Sequence, residues 1–405
     1  MIGLKILYFG TVCDLSNYEK TISECVEKPT IAPIIFESSL LTGLKEIGAD
    51  VDIYSFPMIP SFPHLKKLWW GSKRESLACG YDCTWLKTVN LPFLKQISRR
   101  LDTRHIIKKW IRKNRDSDCA IVTYSIPPFC VKDIIHYSKK YNVKCFAIVT
   151  DLLSDMYIIS DGGSLLTKLR QTYVNQAIRY QGSYDGYIYL TKAMSEVINP
   201  QKPYLVVEGI ADISNVKAPV LAQKAVPQAV MYAGVLHEKY GTINLIKAFM
   251  QMKRSDVELW LFGDGNCLDQ IEEYSKKDSR IKFFGRVSRS EVLEYERRAS
   301  LLINVRSTSD EYTKYSFPSK TIEYMLSGTP MLTTRLQGIP EDYYAYLFSI
   351  NDNLPDSITA GLQNVFSKTA EERNEFGHRA QKYIVSNKNP KDVAQKLYCF
   401  LKDNI

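Results

Sequence analysis

Long apolar runs are missing from this 405-residue chain. Its hydrophobic segments break well before the ~18 residues that a membrane-spanning helix needs, so no span is expected. The first ten residues, Met1 to Gly10, carry no basic leader, long apolar core or small-residue cleavage site, which predicts a protein retained in the cytosol. Histidine is scarce: His64, His105, His136, His237 and His378 lie dispersed. The nine cysteines are scattered and odd in number, the pattern of reduced thiols rather than a disulfide framework. Cys79 and Cys83 form one CxxxC pair without a second pair or a histidine cluster nearby, too few ligands for a closed zinc site. Low-complexity segments and internal repeats are absent. With 45% hydrophobic and 24% charged residues, the composition is that of a globular protein and excludes disorder and coiled coil. The length asks for two or three domains.

What the chain does have is unevenly placed charge. Its 53 Lys+Arg exceed its 44 Asp+Glu by nine, and residues 1–200 hold most of that excess. Residues 61–115 alone contain fourteen basic and three acidic side chains, together with Trp69, Trp70, Trp85 and Trp110, four of the five tryptophans. Cations interleaved with tryptophan suit an anionic bilayer, where indoles occupy the interface and cations meet headgroups. Lys66, Lys67, Trp69, Trp70, Arg99, Arg100, Lys108, Lys109 and Trp110 are the candidate membrane-facing residues. Four engaged cations at ~1 kcal/mol each would give about a thousandfold in partitioning. The alternatives are a solvated helix face with core tryptophans, or nucleic-acid binding. No helix-turn-helix, zinc-finger or RNP pattern supports the last, so no nucleic-acid partner is expected.

Short β-branched or aromatic runs alternate with helical periodicity throughout. Strands are expected at 3–9, 50–55, 119–124, 143–150, 185–190 and 203–208, with helices at 34–48, 131–141 and 165–181. After the proline-flanked stretch 218–227 the alternation resumes, with strands at 229–234, 256–262, 280–284, 299–305, 329–333 and 345–349. Helices at 242–252, 289–298 and 318–327 lie between them. This order predicts an α/β protein of two Rossmann-like, doubly wound domains facing a central cleft. The boundaries are 1–212 for the N-terminal domain, 213–228 for a linker and 229–387 for the C-terminal domain. The binding site is expected in the cleft.

One segment carries the most chemistry: Asn304-Val305-Arg306, then Lys314-Tyr315-Ser316-Phe317-Pro318-Ser319-Lys320-Thr321-Ile322-Glu323-Tyr324-Met325-Leu326-Ser327-Gly328. Pro318 suits a first helical position and Gly328 a helix stop. Ile322, Met325 and Leu326 form an apolar stripe, while Ser319, Lys320 and Glu323 share another face. A helix start favours a diphosphate, and a carboxylate one turn on can accept two hydrogen bonds from a ribose diol. Alternatively, Lys320 and Glu323 are a surface ion pair of small consequence. Three earlier strands each end in a glycine-bearing turn: Gly234 before His237-Glu238-Lys239-Tyr240-Gly241, then Gly263-Asp264-Gly265, then Gly285-Arg286-Val287. Glycine there allows close backbone approach to a ligand.

In this order the motifs resemble the retaining, GT-B-fold glycosyltransferases of family 4, nearest to the bacterial subgroup that builds capsule and exopolysaccharide. The resemblance is dense over about 203–345 and collinear but weaker before it. It implies a nucleotide-sugar donor, most simply a UDP-sugar, on the C-terminal domain and a lipid-linked or oligosaccharide acceptor on the N-terminal domain. It also implies a final segment, 388–405, packing back on the first domain. By position, Glu323 resembles the ribose-holding second glutamate of the family's Glu-x7-Glu motif. Ser316, Phe317 and Pro318 resemble the turn whose backbone contacts sugar and phosphate, and Arg286-Val287 the place where the base is read. Gly234, Gly263, Gly265, Lys314, Ser319 and Lys320 complete the candidate donor site.

The first motif glutamate is replaced by Tyr315, and the usual Arg and Lys of the first turn by Val235 and Tyr240. The diphosphate then needs other cations, for which Lys239 and Arg306 are favoured over Lys314 and Lys320. Asp310 or Glu311 is either a substitute carboxylate or a loop surface residue. Asp151, after an apolar strand, is either an acceptor-orienting catalytic group or a helix N-cap. The resemblance implies front-face transfer assisted by the leaving phosphate, with Asp151, Arg306 and Lys239 as the catalytic candidates and no cofactor or metal. The expected setting is the cytoplasmic face of the membrane, bound peripherally, with other polysaccharide-assembly proteins as further partners. Rival readings are a non-catalytic partner of a true transferase, which Tyr315 favours, and a sugar-nucleotide 2-epimerase.

Overall fold

A computed structural model describes residues 3–23, 25, 29–156, 165–213 and 224–405. The chain divides into two compact units, Met1–Ile210 with Pro390–Ile405, and Ala211–Asn389.

In the first unit the strands are β1 (Lys5–Gly10), β2 (Asp50–Ser55), β3 (Trp69–Trp70), β4 (Arg74–Ser76), β5 (Asp82–Trp85), β6 (Thr88–Val89), β7 (Cys119–Tyr124), β8 (Lys144–Val149), β9 (Gly186–Tyr189) and β10 (Tyr204–Val206). Eight of them form one sheet in the order β10-β9-β8-β7-β1-β2-β5-β4. All its pairings are parallel except β4 with β5. The central strands KILYFG, CAIVTY and KCFAIV are buried almost end to end, the composition of a sheet covered by helices on both faces. The closing helix Pro390–Asp403 belongs to this unit. Gly43 of helix Ala32–Glu46 lets it approach, since a Cβ there would lie 1.9 Å from the Pro390 carbonyl oxygen. The Leu4 N–H donates to the Tyr398 hydroxyl at 3.1 Å.

The second unit contains β11 (Gln228–Val235), β12 (Val257–Asp264), β13 (Ile281–Gly285), β14 (Leu301–Asn304), β15 (Met331–Thr334) and β16 (Phe348–Ile350). They form a wholly parallel sheet in the order β13-β12-β11-β14-β15-β16. Both units are therefore Rossmann-like α/β layers. Of the expected linker, 214–223 lie outside the described residues. Its end is fastened to the second unit: Lys224 Nζ donates to the Arg297 and Ala299 carbonyls and to Thr329 Oγ1, each at 2.9 Å.

The structure corrects part of the membrane-facing set. Trp70 and Trp110 are buried, and Trp110 Nε1 donates to Asp52 at 2.7 Å. Arg99 is buried too, donating to the Pro57 carbonyl at 3.0 Å and to Thr88 Oγ1 at 3.1 Å. Arg100 is paired with the buried Asp133 at 2.6 Å. Trp110, Arg99 and Arg100 hold the helix Leu94–Lys113 to its neighbours, because burial of an indole or guanidinium demands an internal partner, and Trp70 packs in the first unit's core. Lys66, Lys67, Trp69 and Lys109 are exposed and Lys108 is half-buried.

Candidate nucleotide-sugar site

In the second unit the strand order reverses between β11 and β14, and open α/β sheets bind ligands outside the carboxyl ends of the strands at such a point. The turn after β11 is pressed against the end of β14. Gly241 has φ +80°, and a Cβ on it would lie 2.0 Å from the Val305 carbonyl oxygen. This contact fixes Lys239 and Tyr240 beside the residues that follow β14. The Lys239 ammonium lies 4.0 Å from the centre of the Tyr312 ring and the Arg306 guanidinium 5.0 Å from that of Tyr240. Aromatic faces hold the two cations without neutralising them. Among the described residues neither forms a salt bridge. Arg306 Nε and Asn304 Nδ2 are buried donors without acceptors. Positive charge and unmet donors together suit an anionic, oxygen-rich ligand.

The glycines of the other turns serve the frame itself. A Cβ on Gly263 would lie 1.8 Å from the Gly234 carbonyl oxygen, and one on Gly265 2.1 Å from that of Leu236. Their small size is thus required by neighbouring backbone. Beyond them Phe284 stacks on Phe262 at 4.4 Å, and Arg286 (exposed) and Val287 (half-buried) follow Gly285.

The marked helix is Lys320–Leu326, with Ser319 at its N-cap. Pro318 therefore precedes the helix instead of opening it, and its carbonyl accepts the Thr321 N–H at 2.8 Å in a tight turn. At seven residues the helix spans under two turns and carries a correspondingly small dipole. The Tyr324 hydroxyl bonds both backbone groups of Ala233, at 2.9 and 3.2 Å, fixing the helix to β11 beside Gly234. Buried Phe317 packs edge-on against Tyr343, and Gly338 lets its loop close on the Ser316 carbonyl, 2.3 Å from where a Cβ would be. Lys314, Tyr315 and Ser316 are half-buried, Asp310 is half-buried and Glu311 exposed.

Glu323 is half-buried in a charged cluster. Lys320 Nζ contacts its carboxylate, and Arg289 reaches it at 3.8 Å while pairing with Asp212 at 3.2 Å. Behind them stands Glu296, fully buried, 3.9 Å from Lys320 Nζ and with both carboxyl oxygens lacking a donor. Burial, then the neighbouring Glu323 carboxylate, raises the Glu296 pKa well above the usual carboxylate range. Burial also opposes the charge of Glu323, but Lys320 overcomes it and holds that carboxyl below its ordinary value. The two neighbouring carboxyls are thus pushed apart, Glu296 toward its protonated form and Glu323 toward its charged form.

In the first unit Asp151 is exposed beyond the carboxyl end of β8. At the same sheet edge, buried Glu37 accepts hydrogen bonds from the Tyr8 hydroxyl and the Thr11 N–H, both at 2.9 Å, anchoring the loop after β1. Burial pushes its carboxyl up to about 7. Sequence reasoning missed Arg289, Glu296 and Glu37, and named Asn304 without a role. A spacing of seven puts Arg289 and Glu296 on one helix face, but that helix, RSEVLEYERR, is charged almost throughout. Among the described residues no group of three or more His, Cys, Asp or Glu is placed to hold a metal, and no helix is long and apolar enough to cross a membrane.

Residues 227–368 match the family model described as "Glycosyl transferases group 1". No curated protein matches the sequence significantly. The fold is similar to sucrose-phosphate synthase from Thermosynechococcus elongatus (TM-score 0.65, 13% identity, 98% of each chain covered). It is also similar to HepE from Anabaena in complex with UDP (TM-score 0.61, 14% identity, 98% of this chain and 100% of that one). A third likeness is to the lipopolysaccharide outer core galactosyltransferase WaaB (TM-score 0.58, 14% identity, 98% and 99% covered). Residues 227–368 thus resemble group 1 glycosyl transferases, and the fold of the chain is similar to that of these solved structures.

Proposed function

We propose that the protein transfers a sugar, with retention, from a nucleotide-sugar donor to a lipid-linked or oligosaccharide acceptor in cell-surface polysaccharide synthesis. A UDP-sugar is the first candidate, in keeping with the UDP complex of HepE. The observation that carries the reading is the pair Lys239 and Arg306, held on aromatic rings at the strand-order reversal without carboxylate partners. There they neutralise the departing diphosphate, while Glu323 receives the ribose diol. Catalysis is then positioning and charge stabilisation, with Asp151 orienting the acceptor hydroxyl.

Turnover is measured with UDP-, GDP- and dTDP-sugars and a polyprenyl-linked acceptor, reading nucleoside diphosphate release and the anomeric configuration of the product. Transfer with one donor and retained configuration is expected. Absence of both transfer and hydrolysis with every donor would overturn the reading. Glu323→Ala raises the donor KM at least tenfold or abolishes turnover, and wild-type kinetics in it would remove the ribose assignment. Tyr315, in the place of a family carboxylate, favours a second reading, a non-catalytic partner. Nucleotide binding without turnover, restored by an added transferase, is its signature.

A further inference from the structure

The helix Leu94–Lys113 is fixed by its inner face, where Lys95, Arg99, Thr103, Ile106, Ile107, Trp110 and Ile111 are buried. Its opposite face follows the 3.6-residue period through Leu94, Ile97, Leu101, His105, Lys108 and Arg112. The first three are large apolar side chains left 42% to 56% exposed. The next three are His, Lys and Arg, and exposed Lys109 and Lys113 flank them. No acid lies on this stripe.

The apolar part continues beyond the helix. The Val89 N–H donates to Ser98 Oγ at 3.0 Å, joining the helix to the β3–β6 pair, in which Trp69 lies opposite Val89. Asn90 joins the two flanking segments, its N–H donating to the Leu68 carbonyl and its carbonyl accepting the Phe62 N–H. Phe62, Leu68 and Trp69 are all exposed, Trp69 to 53%, and exposed Lys66 and Lys67 adjoin them. Arg99 bonding to the Pro57 carbonyl and Lys95 to that of Ile59 tie the helix start to the chain leaving β2. The apolar start of the helix therefore stands near the carboxyl end of β2, and its basic end, where Trp110 bonds Asp52, runs back toward that strand's amino end.

We propose that this surface docks on an anionic lipid bilayer, with Leu94, Ile97, Leu101, Leu68 and Trp69 entering the interface and Lys66, Lys67, Lys108, Lys109, Arg112 and Lys113 meeting the headgroups. A soluble surface that clusters large apolar groups marks a binding site. Along this rim Lys108, Lys109, Arg112 and Lys113 outnumber Asp102 and select a negative partner, and a continuous apolar stripe on one helix suits a bilayer interface. This inference stands independently of the transferase reading, and it replaces buried Trp70, Trp110 and Arg99 with side chains that can reach lipid.

The test is sedimentation with vesicles of phosphatidylcholine alone or mixed with phosphatidylglycerol. The wild type is expected to partition onto the mixed vesicles at least tenfold more than onto the neutral ones, with the difference shrinking in high salt. The triple variant Leu94→Ser, Ile97→Ser, Leu101→Ser is expected to lose at least tenfold of that binding. Its thermal midpoint should hold, because all three side chains already face solvent. The charge-reversal variant Lys109→Glu, Arg112→Glu, Lys113→Glu is expected to lose the preference for phosphatidylglycerol. Equal binding to both vesicles, or undiminished binding by the triple variant, would overturn the proposal. So would a vesicle-free dimer that the triple variant abolishes, since the face would then be a protein interface.

Discussion

Glu296 and Glu323 differ in ionisation because Lys320 contacts Glu323, whereas Glu296 is fully buried beside that carboxylate with Lys320 only at 3.9 Å. Burial and the Glu323 carboxylate make Glu296 bind its proton more tightly in the folded state than when unfolded. Its contribution to stability is present at low pH and is lost as pH rises through its elevated folded pKa. Above that point a second buried charge competes for Lys320 and Arg289 and loosens their hold on Glu323. The wild type is therefore expected to lose thermal stability and nucleotide affinity together on the alkaline side of a pH series. Glu296→Gln, which keeps a donor toward Glu323 and cannot ionise, should flatten both curves. An unchanged pH dependence in that variant would show that Glu296 is not the titrating group. At this scale the helix around Glu323 was legible, because a glycine stop and an apolar stripe define it, while its spacing from Lys320 left a ribose carboxylate and a surface ion pair both open. Glu296 was not, since a carboxyl among Glu291, Glu294, Arg297 and Arg298 looks like a solvated face until burial is known.

Elements of the doubly wound sheets were legible because their apolar runs have a single explanation: β2 and β7 occupy the predicted residues and β8 and β9 lie within theirs. The short strands β3 to β6 were not, because they are two to four residues long, below the length at which alternation is informative. The basic charge between β2 and β7 misled in the same way: composition counted Arg99 and Arg100 with the surface, whereas packing consumes them. Turns are where an element's sequence and geometry meet most tightly. Gly241→Ala places a Cβ against the Val305 carbonyl in a left-handed backbone, and is expected to cost at least about 2 kcal/mol. It also displaces Lys239 and Tyr240, so the donor KM should rise in parallel. Gly48, with φ +74° and open space around it, is the control: Gly48→Ala should cost only about 1 kcal/mol and leave the donor KM unchanged. Equal destabilisation by the two substitutions, measured by urea unfolding, would mean that the contact with Val305 carries no weight.

Across the whole molecule the informative connection is the last one. The chain leaves the second unit after Asn389 and finishes in the first, so sixteen terminal residues complete a core begun at residue 4. Val393, Leu397 and Leu401 are buried in that core with Leu40, Leu41 and Leu44. At roughly 1.5–3 kcal/mol for each large side chain, their removal should cost on the order of 5 kcal/mol, comparable to the whole stability of a typical domain. A chain ending at Asn389 is thus expected to lose the first unit's cooperative transition while the second, whose core contains none of these residues, keeps its own. Tryptophan separates the two signals: Trp69, Trp70, Trp85 and Trp110 lie in the first unit and Trp260 in the second. Fluorescence should therefore report a large fall in midpoint on truncation, while a residual far-UV transition persists at the original temperature. If both signals moved together, the two units would be one cooperative body. If neither moved, the terminal helix would be an ornament on a core already complete.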